Sequence, residues 1–335
     1  MMFDERLIGH RTIREKLLSR LQAGKLTRSL LFAGLDGIGK RRVALELAQR
    51  ELCFKRSACG ECEGCKAFGS DPLPVELPNL LRIAPEGKAG IIKVGAIRDS
   101  DLVEGGVICW AAMAPPPRCH RWILIEDAHR LHGAAANMLL KTLEEPPPGT
   151  HLLLTTHRPD AMLPTIRSRC ERIAFAPLAL EEAWAVARAH GWEESEREAW
   201  TALSAGSLRY LERGAFELAC AQVDAWLRLA AGASFREAAG PLIPDRNSEL
   251  ALSEQLRQPL ELLLALLKDA ARSRCGGAPS LAPWSPGIGQ LAGSSVNLKG
   301  PQDLVYQALR HLTRNPAPEP VLREIGLTLS ARNLH

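Results

Sequence analysis

One run of eight residues constrains this chain more than any other. Gly34-Leu35-Asp36-Gly37-Ile38-Gly39-Lys40-Arg41 follows the apolar stretch Leu30–Ala33 and leads into a helical pattern over Arg42–Leu52. Strand, glycine-rich turn and helix in that order make a phosphate-binding loop. Gly34, Gly37 and Gly39 let backbone N–H groups curl around an anion, the helix N-terminus adds positive potential, and Lys40 reaches terminal phosphate oxygens. The pattern G-x-x-x-x-G-K-[ST] is complete except at its last position. Arg41 stands where a Ser or Thr hydroxyl would ligate Mg²⁺, and it has no acceptor atom to offer. A guanidinium about 4 Å from that dication meets a repulsion of roughly 8 kcal/mol at an effective dielectric of 20. Whether the loop still holds a nucleotide, or only packs a helix on a strand, the motif leaves open.

The surrounding pattern is α/β. Buried strands are predicted at Leu30–Ala33, Trp122–Ile125 and Leu152–Thr155, each followed by helical periodicity, as in a domain with a parallel sheet. Glu126 and Asp127 come directly after the second strand. A P-loop ATPase needs a short carboxylate in the Mg²⁺ shell and then a longer one at the attacking water; here the lengths are reversed. Asp127 stops about 1.5 Å short of a water placed for glutamate, and misplacement on that scale costs on the order of 10²-fold in rate. Two independent departures argue against hydrolysis.

Four of the nine cysteines crowd into one segment: Cys53, Cys59, Cys62 and Cys65 give C-x₅-C-x₂-C-x₂-C. Short C-x₂-C loops place neighbouring sulfurs for tetrahedral zinc, and Gly60 and Gly64 supply the turns. Four thiolates leave no open position for water, so the zinc is expected to be structural. Free thiols and an iron–sulfur cluster remain the alternatives, the latter without the usual downstream C-x₃-C-P element. Cys109, Cys119, Cys220 and Cys275 read as buried apolar residues.

Beyond Pro177 strand signals give way to helical spacing. Leu256, Leu260, Leu263 and Leu267 form a stripe, widened by Leu262, Leu264 and Leu266, that packs either against other subunits or inside its own domain. The Gly/Pro/Ser-rich stretch Gly276–Gly300 reads as a long loop between helices, and Val107–His120 as a Pro-rich loop before a strand. Predicted domains are 1–176 (with the cysteine insertion at 53–65), a small helical domain at 177–210, and an all-helical domain at 211–335. No stretch approaches ~18 uninterrupted apolar residues, so no membrane span is expected, and the charged start MMFDERLIGH lacks a signal-peptide core, pointing to the cytoplasm. A net charge of +4 permits phosphate contact without demanding it.

Ala135-Ala136-Asn137-Met138-Leu139-Leu140-Lys141-Thr142-Leu143-Glu144-Glu145-Pro146-Pro147 resembles the stretch after the second acidic motif of clamp-loader ATPases of the AAA+ class. Thr165-Ile166-Arg167-Ser168-Arg169-Cys170 resembles the Ser-Arg-Cys motif of the same family. With the P-loop, the acidic pair and the cysteine cluster, the ordered match covers roughly residues 7–210. The resemblance implies an AAA+ P-loop domain with a parallel sheet, a small helical lid and a helical C-terminal collar. It further implies that Arg169, with Ser168, is an arginine finger supplied in trans, whereas Arg167 is packing or solvated. Thr156 and Arg209 match nucleotide-sensing positions, Arg209 at the start of a helix, and Leu7-Ile8-Gly9-His10 resembles the adenine-side loop. Implied partners are gamma/tau and delta clamp-loader subunits in a hetero-pentamer, with the sliding clamp and primer–template DNA met through the complex. Lys141 either faces that DNA or is solvated. The degenerate loop and reversed acids point to a non-hydrolysing stator; the alternative is an active ATPase with an unusual site.

Overall fold

The computed structural model describes residues 8–68, 76–87, 90–98, 106–115, 118–245, 247–248, 252–312 and 317–330; the charged start of the chain, with Leu7 of the expected adenine-side loop, lies outside them. The chain divides into two compact units, residues 1–186 with 206–208, and residues 187–205 with 209–335.

A six-stranded sheet organises the first unit. Strands β1 (Ser29–Ala33), β2 (Glu76–Leu77), β3 (Leu80–Ile83), β4 (Arg121–Ile125), β5 (Thr150–Thr156) and β6 (Glu171–Ala174) lie in the order β2-β3-β4-β5-β1-β6. Among the described strands only the β2–β3 pair is antiparallel. Parallel strands covered on both faces become continuous apolar runs, and in β5 all seven residues are buried. Alternate residues serve opposite cores. Leu31, Ile123, Leu152 and Leu154 face one layer; Leu30, Phe32, Trp122, Leu124 and Leu153 face the other.

Among the described residues the α-helices lying wholly within this unit are α1 (Arg11–Gln22), α2 (Lys40–Leu52), α3 (Glu63–Ala67), α4 (Val94–Arg98), α5 (Gly106–Ala112), α6 (Gly133–Glu144) and α7 (Pro164–Arg167). Leu17 of α1 and Val43 and Leu47 of α2 join the Phe32 layer; Ile97, Trp110, Leu139 and Ile166 of α4–α7 join the Leu31 layer. The parallel α/β domain expected from the sequence is present, and its three predicted strands are β1, β4 and β5. The segment Val107–His120 is not simply a loop. Its first part is α5, in which Val107, Trp110 and Ala111 recur at helical spacing and are buried; residues 116 and 117 lie outside the described part.

The division between units falls within α8 (Leu180–Ala189). The second unit holds α9 (Arg197–Ser204), α10 (Arg213–Ala230), α11 (Phe235–Ala238), α12 (Leu252–Arg274), α13 (Ser285–Gly293), α14 (Lys299–His311) and α15 (Pro318–Leu329). The leucine stripe of α12 is spent on this unit's own core, with Leu256, Leu260, Leu263 and Leu267 all at 2% exposure or less. Pro259 inside α12 has no N–H to donate, and its carbonyl accepts from Trp226 Nε1 at 2.8 Å. Gly276–Gly300, expected to be a loop, contains α13 and the start of α14. Its glycines hid the pattern because Gly287 is small for packing: a Cβ there would lie 2.8 Å from a Leu227 methyl. Among the described residues no helix is long and apolar enough to cross a membrane.

Candidate functional site

The P-loop, the acidic pair and Thr156 meet at the carboxyl ends of β1, β4 and β5, where parallel α/β sheets bind ligands. Gly37 and Gly39 take φ of 68° and 93°, the left-handed region open to glycine. Gly34 is needed for a different reason: a Cβ there would stand 2.4 Å from the Phe175 carbonyl oxygen. Ser207 Oγ donates to Asp36 O (2.7 Å), the Leu208 N–H donates to Gly37 O (2.8 Å), and His10 Nε2 lies 2.6 Å from Ile38 O. Lys40 is buried and folds back on its own loop, donating to the carbonyls of Gly34 (3.0 Å) and Leu35. Burial pulls its ammonium pKa down against the opposing pull of Asp36 and Asp127.

Arg41 does more than leave out a hydroxyl. Its Nε lies 3.1 Å from Glu126 Oε1, the carboxylate nearest the metal role, and Arg82 of β3 reaches the same oxygen through Nε and Nη2 at 2.9 Å each. Two guanidiniums thus neutralise the acid that would otherwise draw Mg²⁺. Asp127 takes a left-handed φ of 47°; its N–H donates to Thr155 Oγ1 and its Oδ1 lies 3.3 Å from His157 Nδ1. Burial acts against this carboxylate, but the hydrogen bond to His157 and the nearby positive charge of Arg130 bring its pKa below the usual value. Burial drives His129 down to about 3, helped by His157. Thr156 is buried, its hydroxyl 3.1 Å from His129 Nδ1 and accepting from the Arg158 N–H at 3.0 Å.

Arg169, just beyond α7, donates from Nε to Glu144 Oε2 (3.2 Å) and from Nη1 to Thr165 O (3.1 Å). Ser168 is exposed and bonds Thr165 O; Arg167 pairs with Asp160. Asn137, Lys141 and Glu144 share the exposed face of α6. Arg209 is not at a helix start but in a turn ahead of α10. It belongs to the second unit, where it pairs with Glu261 at 3.2 Å. Sequence reasoning passed over Arg82, His129 and His157. The two histidines had a signal: both fall just past the ends of adjacent parallel strands.

The four clustered cysteines converge, their sulfurs lying within 4.8 Å of one another, and they present a donor set able to hold a metal ion. Left-handed residues Arg56, Ala58 and Gly60 turn the chain around them. Gly64 serves otherwise, since a Cβ there would lie 2.5 Å from Leu52 O and block α3 from the end of α2. The Cys59 N–H donates to Cys53 Sγ at 3.4 Å. Burial opposes ionisation of Cys53, but N–H donors from Cys59 and Ser57 bring its pKa down to about 6. Such donors favour a thiolate at Cys53, whereas burial pushes the Cys65 thiol up, so a bound metal would have to displace that proton. The four cysteines expected to be buried depart from that expectation: Cys109 and Cys275 are exposed and Cys119 and Cys220 half-buried, Cys275 in the turn after α12 and Cys119 in the loop before β4, where no apolar face encloses them.

The profile of the family described as DNA polymerase III, delta subunit, matches residues 9–179, just over half of the chain. The chain belongs to the DNA polymerase III delta-subunit family. The delta′ subunit of Pseudomonas aeruginosa PAO1 is 38% identical over 185 residues, covering 53% of this chain and 52% of that protein. The delta′ subunit of Escherichia coli K12 is 34% identical over 168 residues, 49% of this chain and 46% of that protein. The gamma/tau subunit of Mycobacterium tuberculosis H37Rv is 28% identical over 172 residues, 50% and 28% respectively. The chain thus spans about half the length of the curated delta′ relatives it matches. Among solved structures, a gamma-subunit-related protein of Thermotoga maritima aligns with a TM-score of 0.45 at 17% identity, covering 95% of this chain and 97% of that one. The delta-subunit match covers the whole P-loop sheet, including Arg41, Glu126 and Arg169.

Proposed function

We propose that this delta-subunit family member is a non-hydrolysing stator of a clamp loader, joining gamma/tau and delta subunits in a cytoplasmic hetero-pentamer. In this reading residues 1–176 form the P-loop domain, 177–210 the lid and 211–335 the collar. The sliding clamp and primer–template DNA are met through the assembly. The observation that carries the reading is the Arg41–Glu126–Arg82 cluster, in which fixed positive charge takes up the carboxylate that a hydrolysing site needs for Mg²⁺. With Glu126 paired to two guanidiniums and Asp127 held by His157, neither member of the acidic pair is free to serve as a hydrolysing site's carboxylate.

Arg169 then acts on a neighbour. A guanidinium brought to the γ-phosphate in trans offsets charge that develops in phosphoryl transfer, an effect worth roughly 10³–10⁵ in rate in other NTPases. Its anchor to the exposed Glu144 is weak enough to be exchanged for phosphate. The cysteine cluster fits structural zinc, stapling α3 to the end of α2: Cys53, Cys59, Cys62 and Cys65 would supply four thiolates and leave no catalytic position.

Steady-state ATP hydrolysis tests the reading. The isolated chain is expected to show no turnover above background. The reconstituted complex carrying Arg169→Ala is expected to assemble normally but lose on the order of 10³-fold of DNA-stimulated hydrolysis at the site this residue completes. Brisk turnover by the lone chain, or full activity of the Arg169→Ala complex, refutes it.

A further inference from the structure

A second group of metal-ligating side chains lies apart from the cysteines. We propose that Asp127, His129 and His157 form a binding site for a late first-row divalent metal, made of two imidazoles and one carboxylate at the carboxyl edge of the sheet. This goes beyond the stator reading and does not depend on it.

Three observations converge. The donor atoms of the three residues lie within 4.8 Å of one another, and His157 Nδ1 is 3.3 Å from Asp127 Oδ1. Ligands about 2.0–2.2 Å from a common ion stand about 3–3.5 Å apart, so the remaining closure is within the reach of side-chain rotation. The second observation concerns His129. Its Nδ1 sits 3.1 Å from Thr156 Oγ1, and its Nε2 is buried with no hydrogen-bond partner. A ring with one nitrogen held by an oxygen and the other buried without a partner has the pairing of a metal-bound histidine and its supporting group. The third is placement. Asp127 and His129 follow β4 and His157 follows β5, adjacent strands of a rigid sheet, so the backbone presets the ligands.

The chemistry selects the ion. Two nitrogens and one oxygen suit zinc, cobalt, nickel or iron(II) and disfavour Mg²⁺, which demands an oxygen octahedron. The site is therefore not a remnant of a nucleotide's magnesium site, whose carboxylate Glu126 is taken by Arg41 and Arg82. Three protein ligands leave a coordination position open. Arg130 and Arg158 act electrostatically on this cluster, and their positive charge makes it a weaker site than the four thiolates.

Titration of the untagged full chain with Co²⁺, read by absorbance, and with Zn²⁺, read by elemental analysis after gel filtration, tests the assignment. Thiolate-bound Co²⁺ gives intense bands with sulfur charge transfer, whereas a nitrogen–oxygen site adds only weak ones. The expected result is an equivalent of metal beyond that held by the cysteines. This extra equivalent should be lost from His129→Ala/His157→Ala, and its affinity lowered at least tenfold in the milder His157→Gln, while the thiolate bands stay unchanged and report an intact fold. If the parent chain takes up no metal beyond its cysteine-bound ion, or if the double variant retains the extra equivalent, the assignment is overturned.

Discussion

Arg41 Nε stands 3.1 Å from Glu126 Oε1, so a cation is paired with the very carboxylate that a metal would use. Arg41→Thr returns an acceptor to the loop and leaves Glu126 to Arg82 alone. Mg²⁺ should then tighten binding of a fluorescent ATP analogue about tenfold, equivalent to about 1.4 kcal/mol. In the parent chain it should leave affinity unchanged. Titrations with Mg²⁺ and with EDTA give the comparison.

Arg169 should matter little to the fold that carries it. Its bond to Glu144 is exposed on the acid's side, and pairs of this kind contribute about 1 kcal/mol or less. Urea unfolding of Arg169→Ala is expected to match the parent within that margin, so a defect in the complex reports function. Arg169→Lys should not restore activity, since an ammonium lacks the planar fork.

Metal removal is expected to act locally. One zinc per chain should be lost in Cys62→Ser, exposing the segment 53–68 to protease and to hydrogen exchange while the sheet stays protected. At a zinc concentration a thousand times the dissociation constant, the bound ion contributes about 4 kcal/mol. Zinc content against melting temperature, measured along a chelator series, checks this. An unchanged melting curve after complete zinc loss would rule out a structural role.

Glu46 supplies a pH test. Its buried carboxylate accepts from Arg14 at 2.7 and 2.8 Å and from Arg50 at 2.9 and 3.0 Å; burial acts to raise its pKa, but the two guanidiniums hold it below the ordinary glutamate value of 4.5. A depressed folded pKa contributes stability that is fully present above 4.5 and is lost as pH falls through the folded value. Glu46→Gln should therefore cost about 2–3 kcal/mol at neutral pH. The gap between variant and parent should close in acid. Chemical denaturation from pH 7 down to pH 3 follows it.

How much of this was legible beforehand depended on where the information sat. The P-loop, the reversed acids and the cysteine cluster are local in sequence, and spacing alone revealed them. β5 was plain because parallel pairing on both sides buries every residue. β3 was not: it has four residues, and Arg82 interrupts its apolar run in order to meet Glu126 across the sheet. β6 was missed because, as an edge strand, it alternates half-buried and exposed positions. The Asp127–His129–His157 group was invisible for a further reason. His157 lies 30 residues from Asp127, and only the pairing of β4 with β5 brings them together. α13 hid behind a loop-like composition.

Lys40 donates to the carbonyls of Gly34 and Leu35, within its own turn. A cation already satisfied by its neighbours needs no anion from outside to hold its shape. This P-loop is therefore self-propped, and its folding should be indifferent to whether the cell is rich or poor in triphosphate. The turn thus carries its own internal brace, and the conformation of Gly34–Lys40 is set by the chain itself.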